Sequence, residues 1–241
     1  MKRTERHHLK ENEIKRFALQ ARETMEARRR EVTAAIVAAV VIAAAGIGYL
    51  AWRERVQSRA HALLAEALSV QSARVGPPAA PGTPSPSLSF PTERERAQAV
   101  VTKFKVVADA YPSTDAGLFA RYQEGAAYMT LHNPASAGAA YQEVIQRAGN
   151  GIFGQMARLG LAEAQARSGQ YDQAINTYKE MSQRKDGPLP IDAILMQLGR
   201  TYLDAGKRAE AQQTFTRLVE EYPESPFTGD AKKELDGLKK T

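Results

Sequence analysis

The only imidazoles in the chain are His7, His8, His61 and His132. His7 and His8 are adjacent, so on a helix they leave by different faces, and no third ligand stands near them. His61 lies in a stretch of helical periodicity, and His132 precedes the turn signal Asn133-Pro134. No two of these groups converge with a carboxylate across the proline-rich segment, which argues against an acid–base or nucleophilic centre. The chain has no cysteine, which removes thiol catalysis, Cys-ligated zinc, disulfides and cysteine-borne lipid anchors. H-E-x-x-H and G-x-S-x-G are both missing from the sequence. Glu220 and Glu221 are neighbours, so their carboxylates diverge on a helix and read as a solvated face. The expectation is a protein that is not an enzyme, with no cofactor, metal site or small-molecule substrate.

Charge leads away from nucleic acid as well. The net charge is +6, but residues 1–32 hold 10 Lys/Arg against 6 Asp/Glu, which leaves residues 53–241 at only +2. A nearly neutral remainder without a basic stripe and interleaved aromatics offers little to a phosphate backbone.

What remains is packing. Residues 32–52 form a run of 21 without a charge, which as a helix reaches about 31 Å, one hydrocarbon thickness. Tyr49 and Trp52 stand where an aromatic belt meets the interface. The run reads as a single transmembrane helix; a cleaved signal peptide ending near Ala43 to Ala45 is the rival reading, opposed by the long polar stretch before it. Arg16, Arg22 and Arg28 to Arg30 outweigh Arg53, Arg55 and Arg59, which favours an inside N-terminus and puts the bulk of the chain across the membrane.

In the tail, residues 1–31, Ile14, Phe17, Ala18, Ala21 and Met25 share one helical face, and Glu11 with Lys15 and Glu26 with Arg30 make i, i+4 pairs. Such a basic amphipathic helix suits the anionic inner leaflet or a cytosolic partner, or it is solvated and only enforces topology. After the span, Val56, Ala60, Leu63, Ala67 and Val70 continue a helical stripe, so residues 53–75 read as a stalk helix. Residues 76–91 carry six of the chain's twelve prolines and no charge, a linker ahead of a distal domain over residues 92–241.

That distal segment repeats with an offset of 37. Ala137, Ala174 and Ala211 keep it, as do Tyr141, Tyr178 and Phe215; Val144, Met181 and Leu218; and Gly125, Ala162 and Gly199. Phe104, Val107, Tyr111 and Pro112 precede Phe215, Leu218, Tyr222 and Pro223 by 111, three periods. Turn signals at Asn133-Pro134, Gly169, Gly206, Asp186 to Pro188 and Ser225-Pro226 divide the segment into helix pairs. First helices are expected near 115–131, 152–168 and 190–205, and second helices near 134–148, 171–184 and 208–222. The small residues of each first helix should face the alanine of each second, the aromatic should fill the space beside the next pair, and a polar-faced helix over 226–239 should cap the stack.

The run Leu198-Gly199-x-x-Tyr202, Gly206, Ala211, Phe215 and Pro223, with Gly169 to Ala174 at a turn, resembles a tetratricopeptide repeat. The second copy departs from the pattern with Gln165 in place of its first-helix aromatic, and the first has His132-Asn133-Pro134 at its turn. The resemblance implies an all-α fold: a single transmembrane helix, then a tetratricopeptide-like solenoid of about three and a half repeats and a capping helix. The order of tail, span and repeats is similar to the YfgM-type ancillary subunits of the SecYEG translocon. Tyr222-Pro223-x-Ser225-Pro226 resembles the repeats of the periplasmic cell-division coordinator that binds TolA. These likenesses imply a bacterial inner-membrane protein with a cytoplasmic N-terminus and periplasmic repeats that bind other proteins. Sec translocon components, periplasmic chaperones or unfolded clients are the expected partners, and an envelope scaffold in division or cell-wall assembly is the alternative.

Carried over by register, the family's groove-lining positions fall on Phe119, Tyr122, Ala126 and Met129, on Met156, Leu159, Glu163 and Arg167, and on Ala193, Met196, Arg200 and Leu203. Large apolar side chains, three of them methionine, suit an unfolded client or a partner helix. The same residues also fit ordinary core, or a groove filled by the stalk around Leu63 to Val70.

Overall fold

The computed structural model describes residues 29–76, 88–184 and 187–239. Residues 1–28 of the tail, with Glu11, Lys15 and Glu26 of its expected i, i+4 pairs and with His7 and His8, and most of the proline segment lie outside the described residues. The chain divides into two compact units, residues 1–55 and 56–241.

In the first unit the described residues belong to helix α1, Arg29–Gln71, which carries a stretch long and apolar enough to cross a membrane. Ile36, Val40, Ile42 and Ile47 are all more than half exposed, and the rings of Tyr49 and Trp52 pair at 6.0 Å.

The second unit takes in the end of α1 and eight further helices: α2 Glu93–Ala110, α3 Asp115–Thr130, α4 Pro134–Ala148, α5 Ile152–Arg167, α6 Tyr171–Ser182, α7 Ile191–Asp204, α8 Arg208–Glu221 and α9 Thr228–Lys239. The expected helix pairs are α3 with α4, α5 with α6 and α7 with α8, with bounds within two residues of the sequence reading. Local chemistry sets many of these ends. Thr92, Thr114 and Asn133 cap α2, α3 and α4 by accepting from the N–H of Glu95, Gly117 and Ser136.

The helix-ending turns repeat with the period of the sequence. The N–H groups of Asn133, Gln170 and Lys207 donate back to the carbonyls of Tyr128, Gln165 and Tyr202 at 2.9, 2.9 and 2.8 Å, closing each first helix in the same way. This closure needs a left-handed residue just before it. Gly169 and Gly206 supply it with φ of 76° and 73°, and His132 adopts φ of 56° at the equivalent place. A β-carbon is disfavoured there, so the first copy holds a strained turn where the others hold glycine. Tyr111 and Tyr222, three periods apart, end α2 and α8 with nearly the same backbone angles.

The aromatic of each second helix is the centre of its pair. Tyr141, Tyr178 and Phe215 are 3%, 1% and 0% exposed, so each ring is held on all sides. A correction concerns the small residues: a β-carbon at Gly125 would fall 2.7 Å from the Tyr141 ring, and one at Gly199 would strike the Phe215 ring. The ring, more than the alanine of the second helix, is what requires glycine here. Gly160, which the periodicity did not single out, meets the same Tyr141 ring from α5, with a β-carbon position 2.6 Å from Cζ.

The end of α1 joins the repeats and is not a free stalk. Ala67 and Val70 are buried in one cluster with Val100, Phe104 and Val107 of α2 and Ala120 and Ala127 of α3, with Leu63 and Leu64 packed against it. Glu66 pairs with Lys103 at 2.6 Å, and Arg96 donates to the Ala73 carbonyl at 3.3 Å. Across the proline segment, β1, Arg74–Val75, pairs in parallel with β2, Ser89–Phe90. The segment after the span therefore covers the apolar face of α2 and α3 with its side chains.

Candidate protein-binding face

The first helices α3, α5 and α7 carry all twelve expected groove positions. Phe119 is half-buried and stands between two rings, Phe104 at 6.4 Å and Phe153 at 6.3 Å, both tilted edge-on. Its role is to tie α2 to α3 and α5. Tyr122 packs on Tyr141 with ring centres 5.6 Å apart, and Ala126, one turn further along α3, is half-buried.

In the second pair Glu163 and Arg167 form an ion pair at 2.7 Å with both side chains about half exposed. Their charges act on three phenols. Burial raises the Tyr122 phenol above its ordinary pKa, and the Glu163 carboxylate adds to the effect. Burial likewise pushes Tyr141 and Tyr178 well above theirs, with Glu163 reinforcing and Arg167 opposing. All three are therefore neutral at physiological pH. Met156 is half-buried and belongs to none of the three core clusters, and Leu159 packs at the edge of one.

Most of the rest of the expected groove is not an open surface; Arg200 alone is exposed. Met129 and Met196, 7% and 1% exposed, are core residues of α3 and α7 and contribute nothing to a ligand-facing surface. Arg200 reaches Asp230 of the capping helix α9 at 3.8 Å, Leu203 packs against the last core cluster, and Ala193 is half-buried near the start of α7. What remains is Tyr122 and Ala126 on α3 and Met156, Leu159, Glu163 and Arg167 on α5, neutral phenol, thioether and aliphatic groups around one ion pair. The phenol, thioether and aliphatic groups of this face are cheap to desolvate.

Beside it, and unforeseen in the sequence, Arg121 joins three helices. It pairs with Asp109 of α2, with Glu124 of α3 at 2.6 Å and with Glu143 of α4 at 2.9 Å, while Glu124 is only 3% exposed. A buried charge with this many carboxylate partners is fully compensated, so the cluster fixes how the partial copy meets the first pair. No group of three or more potential metal ligands occurs among the described residues.

Stacked pairs of antiparallel helices, with small residues under the second-helix ring and glycine-type closures 37 apart, agree with the family model that matches the chain, described as a tetratricopeptide repeat-like domain, over residues 29–226. The chain belongs to the tetratricopeptide repeat-like family. Crystal structures of tetratricopeptide-like repeats from a putative kinesin light chain of Podosopora anserina are similar in fold. One, a variant, superposes with a TM-score of 0.57 at 16% identity over 75% of this chain and 85% of its own. Another superposes with a TM-score of 0.56 at 15% identity over the same shares. No curated protein matches the chain in sequence. At such identities the likeness is one of fold, and the tetratricopeptide repeat-like assignment supports protein–protein interaction as the work of the domain.

Proposed function

We propose that this tetratricopeptide repeat-like chain is a single-pass membrane protein that holds a protein-binding array at the membrane surface, in the service of protein translocation or periplasmic chaperoning. The observation that carries the reading is the face of Tyr122, Met156, Leu159, Glu163 and Arg167 in the same chain as α1, a helix apolar enough to span a bilayer. Residues 1–31 are the cytoplasmic tail, residues 32–52 the span of a bacterial inner membrane, and the repeats lie in the periplasm, the orientation favoured by the arginine excess before the span. The face suits apolar segments of unfolded clients, chaperones or translocon subunits, since methionine and tyrosine adapt to varied apolar shapes.

The alternative role, an envelope scaffold in division or cell-wall assembly, rested on Tyr222-Pro223-x-Ser225-Pro226. Those residues have structural work: Ser225 donates to Asp192 at 2.6 Å and Thr228 donates to the Tyr222 carbonyl at 2.9 Å, turning the chain into α9. The motif therefore favours neither role.

The test is photocrosslinking in intact membranes from a photoreactive residue at Met156. Translocon subunits or periplasmic chaperones are the expected adducts, and adducts confined to division or cell-wall proteins would select the scaffold role. Protease added to spheroplasts should digest the repeats and spare the tail and span; protected repeats would reverse the topology.

A further inference from the structure

A second polar site lies between second helices α4 and α6, with the end of α5 as its floor. It is a cavity of about 290 Å3 lined by Gly138, Gln142, Gln165, Ser168, Gln170 and Gln173 together with small and aliphatic residues, none of them charged. Gln165 donates from Nε2 to Gln173 Oε1 at 3.1 Å. Its own Oε1 is buried and is the one such side-chain atom without a hydrogen-bond partner among the described residues.

The repeat explains why the cavity is there. Shifted by 37, Gly138 becomes Ile175 and Gln165 becomes Tyr202, which are 4% and 6% exposed and fill the corresponding space at the next interface. The same shift turns Ala135 into Asp172 and Gln170 into Lys207, and there the two close the rim with an ion pair at 2.7 Å. At the α4/α6 interface, therefore, the branched side chain, the phenol and the ion pair are replaced by glycine, an amide, alanine and glutamine. Sequence alone shows this as one missing aromatic; the cavity and the orphaned oxygen emerge only with the packing.

We infer that the cavity between α4 and α6 is a receptor site for a tyrosine side chain presented by a protein partner. The volume admits a substituted ring, since about 150 Å3 holds benzene. The lining has no charge, so an ionised group entering this half-open pocket loses part of its hydration without gaining a counter-ion. An aliphatic side chain leaves the buried Gln165 oxygen unpaired, whereas a phenolic hydroxyl pairs with the amide in either orientation because it both donates and accepts. The ring takes the place that Tyr202 takes one repeat later. The site shares none of the residues of the Met156 face, so it extends the binding role to a second surface, and its failure leaves that face standing.

The test uses the full chain in detergent micelles, labelled with 15N-glutamine and titrated with N-acetyl-L-tyrosinamide. The side-chain amide signals of Gln165 and Gln173 should shift saturably, and N-acetyl-L-phenylalaninamide should bind about tenfold more weakly because it leaves the amide unpaired. The double variant Gly138→Ile with Gln165→Tyr installs the residues of the next interface; it should lose binding and keep or raise the melting temperature. Should that variant misfold, Gln165→Leu serves instead, and it should bind the two probes equally. Absence of a saturable shift up to the solubility limit, equal affinity of the native chain for both probes, or unchanged tyrosinamide binding by the folded, filled variant would each overturn the assignment and leave a cavity occupied by solvent.

Discussion

Replacing Gly160 by alanine sets two effects of opposite sign against each other in the middle of α5. Helix propensity favours the change by about 1 kcal/mol, because glycine loses the most backbone entropy on folding. Packing opposes it. The new β-carbon would lie 2.6 Å from Tyr141 Cζ and 2.8 Å from Cε2, closer than carbon atoms approach. The ring has little room to retreat, since a β-carbon position at Gly125 of α3 stands 2.7 Å from Cε1 of the same ring and the tyrosine is only 3% exposed. Overpacking of this kind costs about 1 to 3 kcal/mol, and a ring held from both sides puts the cost in the upper part of that range. The net expectation is a loss of about 1 to 2 kcal/mol. At about 2 to 4 °C per kcal/mol for a chain of this size, the melting temperature falls by roughly 2 to 8 °C. Gly237→Ala in α9 is the control, because a β-carbon there meets nothing within 4 Å; it should raise stability by about 0.5 to 1 kcal/mol. Circular dichroism melts and urea titrations of the two variants side by side read the difference. Adding Tyr141→Leu to Gly160→Ala should cost less than the sum of the single changes, because the two groups collide. A Gly160→Ala chain stabilised to the same degree as Gly237→Ala would refute the argument that the aromatic is gripped between successive pairs.

Tyr178→Ala should cost about 3 to 5 kcal/mol by emptying a site only 1% exposed, and Ala174→Leu about 1 to 3 kcal/mol by wedging its pair, both read as urea midpoints. Arg121→Leu should destabilise by about 3 to 5 kcal/mol because Glu124, 3% exposed, is left as an uncompensated buried charge; adding Glu124→Leu should recover part of the loss. The hydrogen bond from Arg121 holds the Asp109 carboxyl below its ordinary pKa, with Lys105 assisting. A depressed folded-state pKa gives stability that is present above the unfolded carboxylate value, about 3.9, and is lost as pH falls through the folded one. Asp109→Asn should therefore be less stable than the parent at pH 7, with the gap closing in melts below about pH 4. A gap that widens on acidification would reverse the sign of that coupling.

Most helix ends were legible in the sequence because their causes are local. Caps at Thr114 and Asn133, the left-handed turns at Gly169 and Gly206, and the Tyr-Pro terminators act within a few residues of themselves. The period of 37 was legible for a related reason: each pair solves the same packing problem, so ring, alanine and a small first-helix residue recur together. His132 shows the limit of reading by type, since only the offset marks it as the counterpart of two glycines.

The sequence by itself determined that residues 56–70 bury one helical face, from the stripe of Val56, Ala60, Leu63, Ala67 and Val70. It did not determine what covers that face, and the tertiary structure assigns it to α2 and α3 across the proline segment. The methionines divide in the same way. Met129, Met156 and Met196 are the same residue type at expected groove positions, yet two are core and one is half open. A periodic pattern records that a side chain prefers not to meet water. Burial is a property of two surfaces, so whether a neighbour arrives, and whether it leaves a gap such as the one beside Gln165, is decided only when the helices pack.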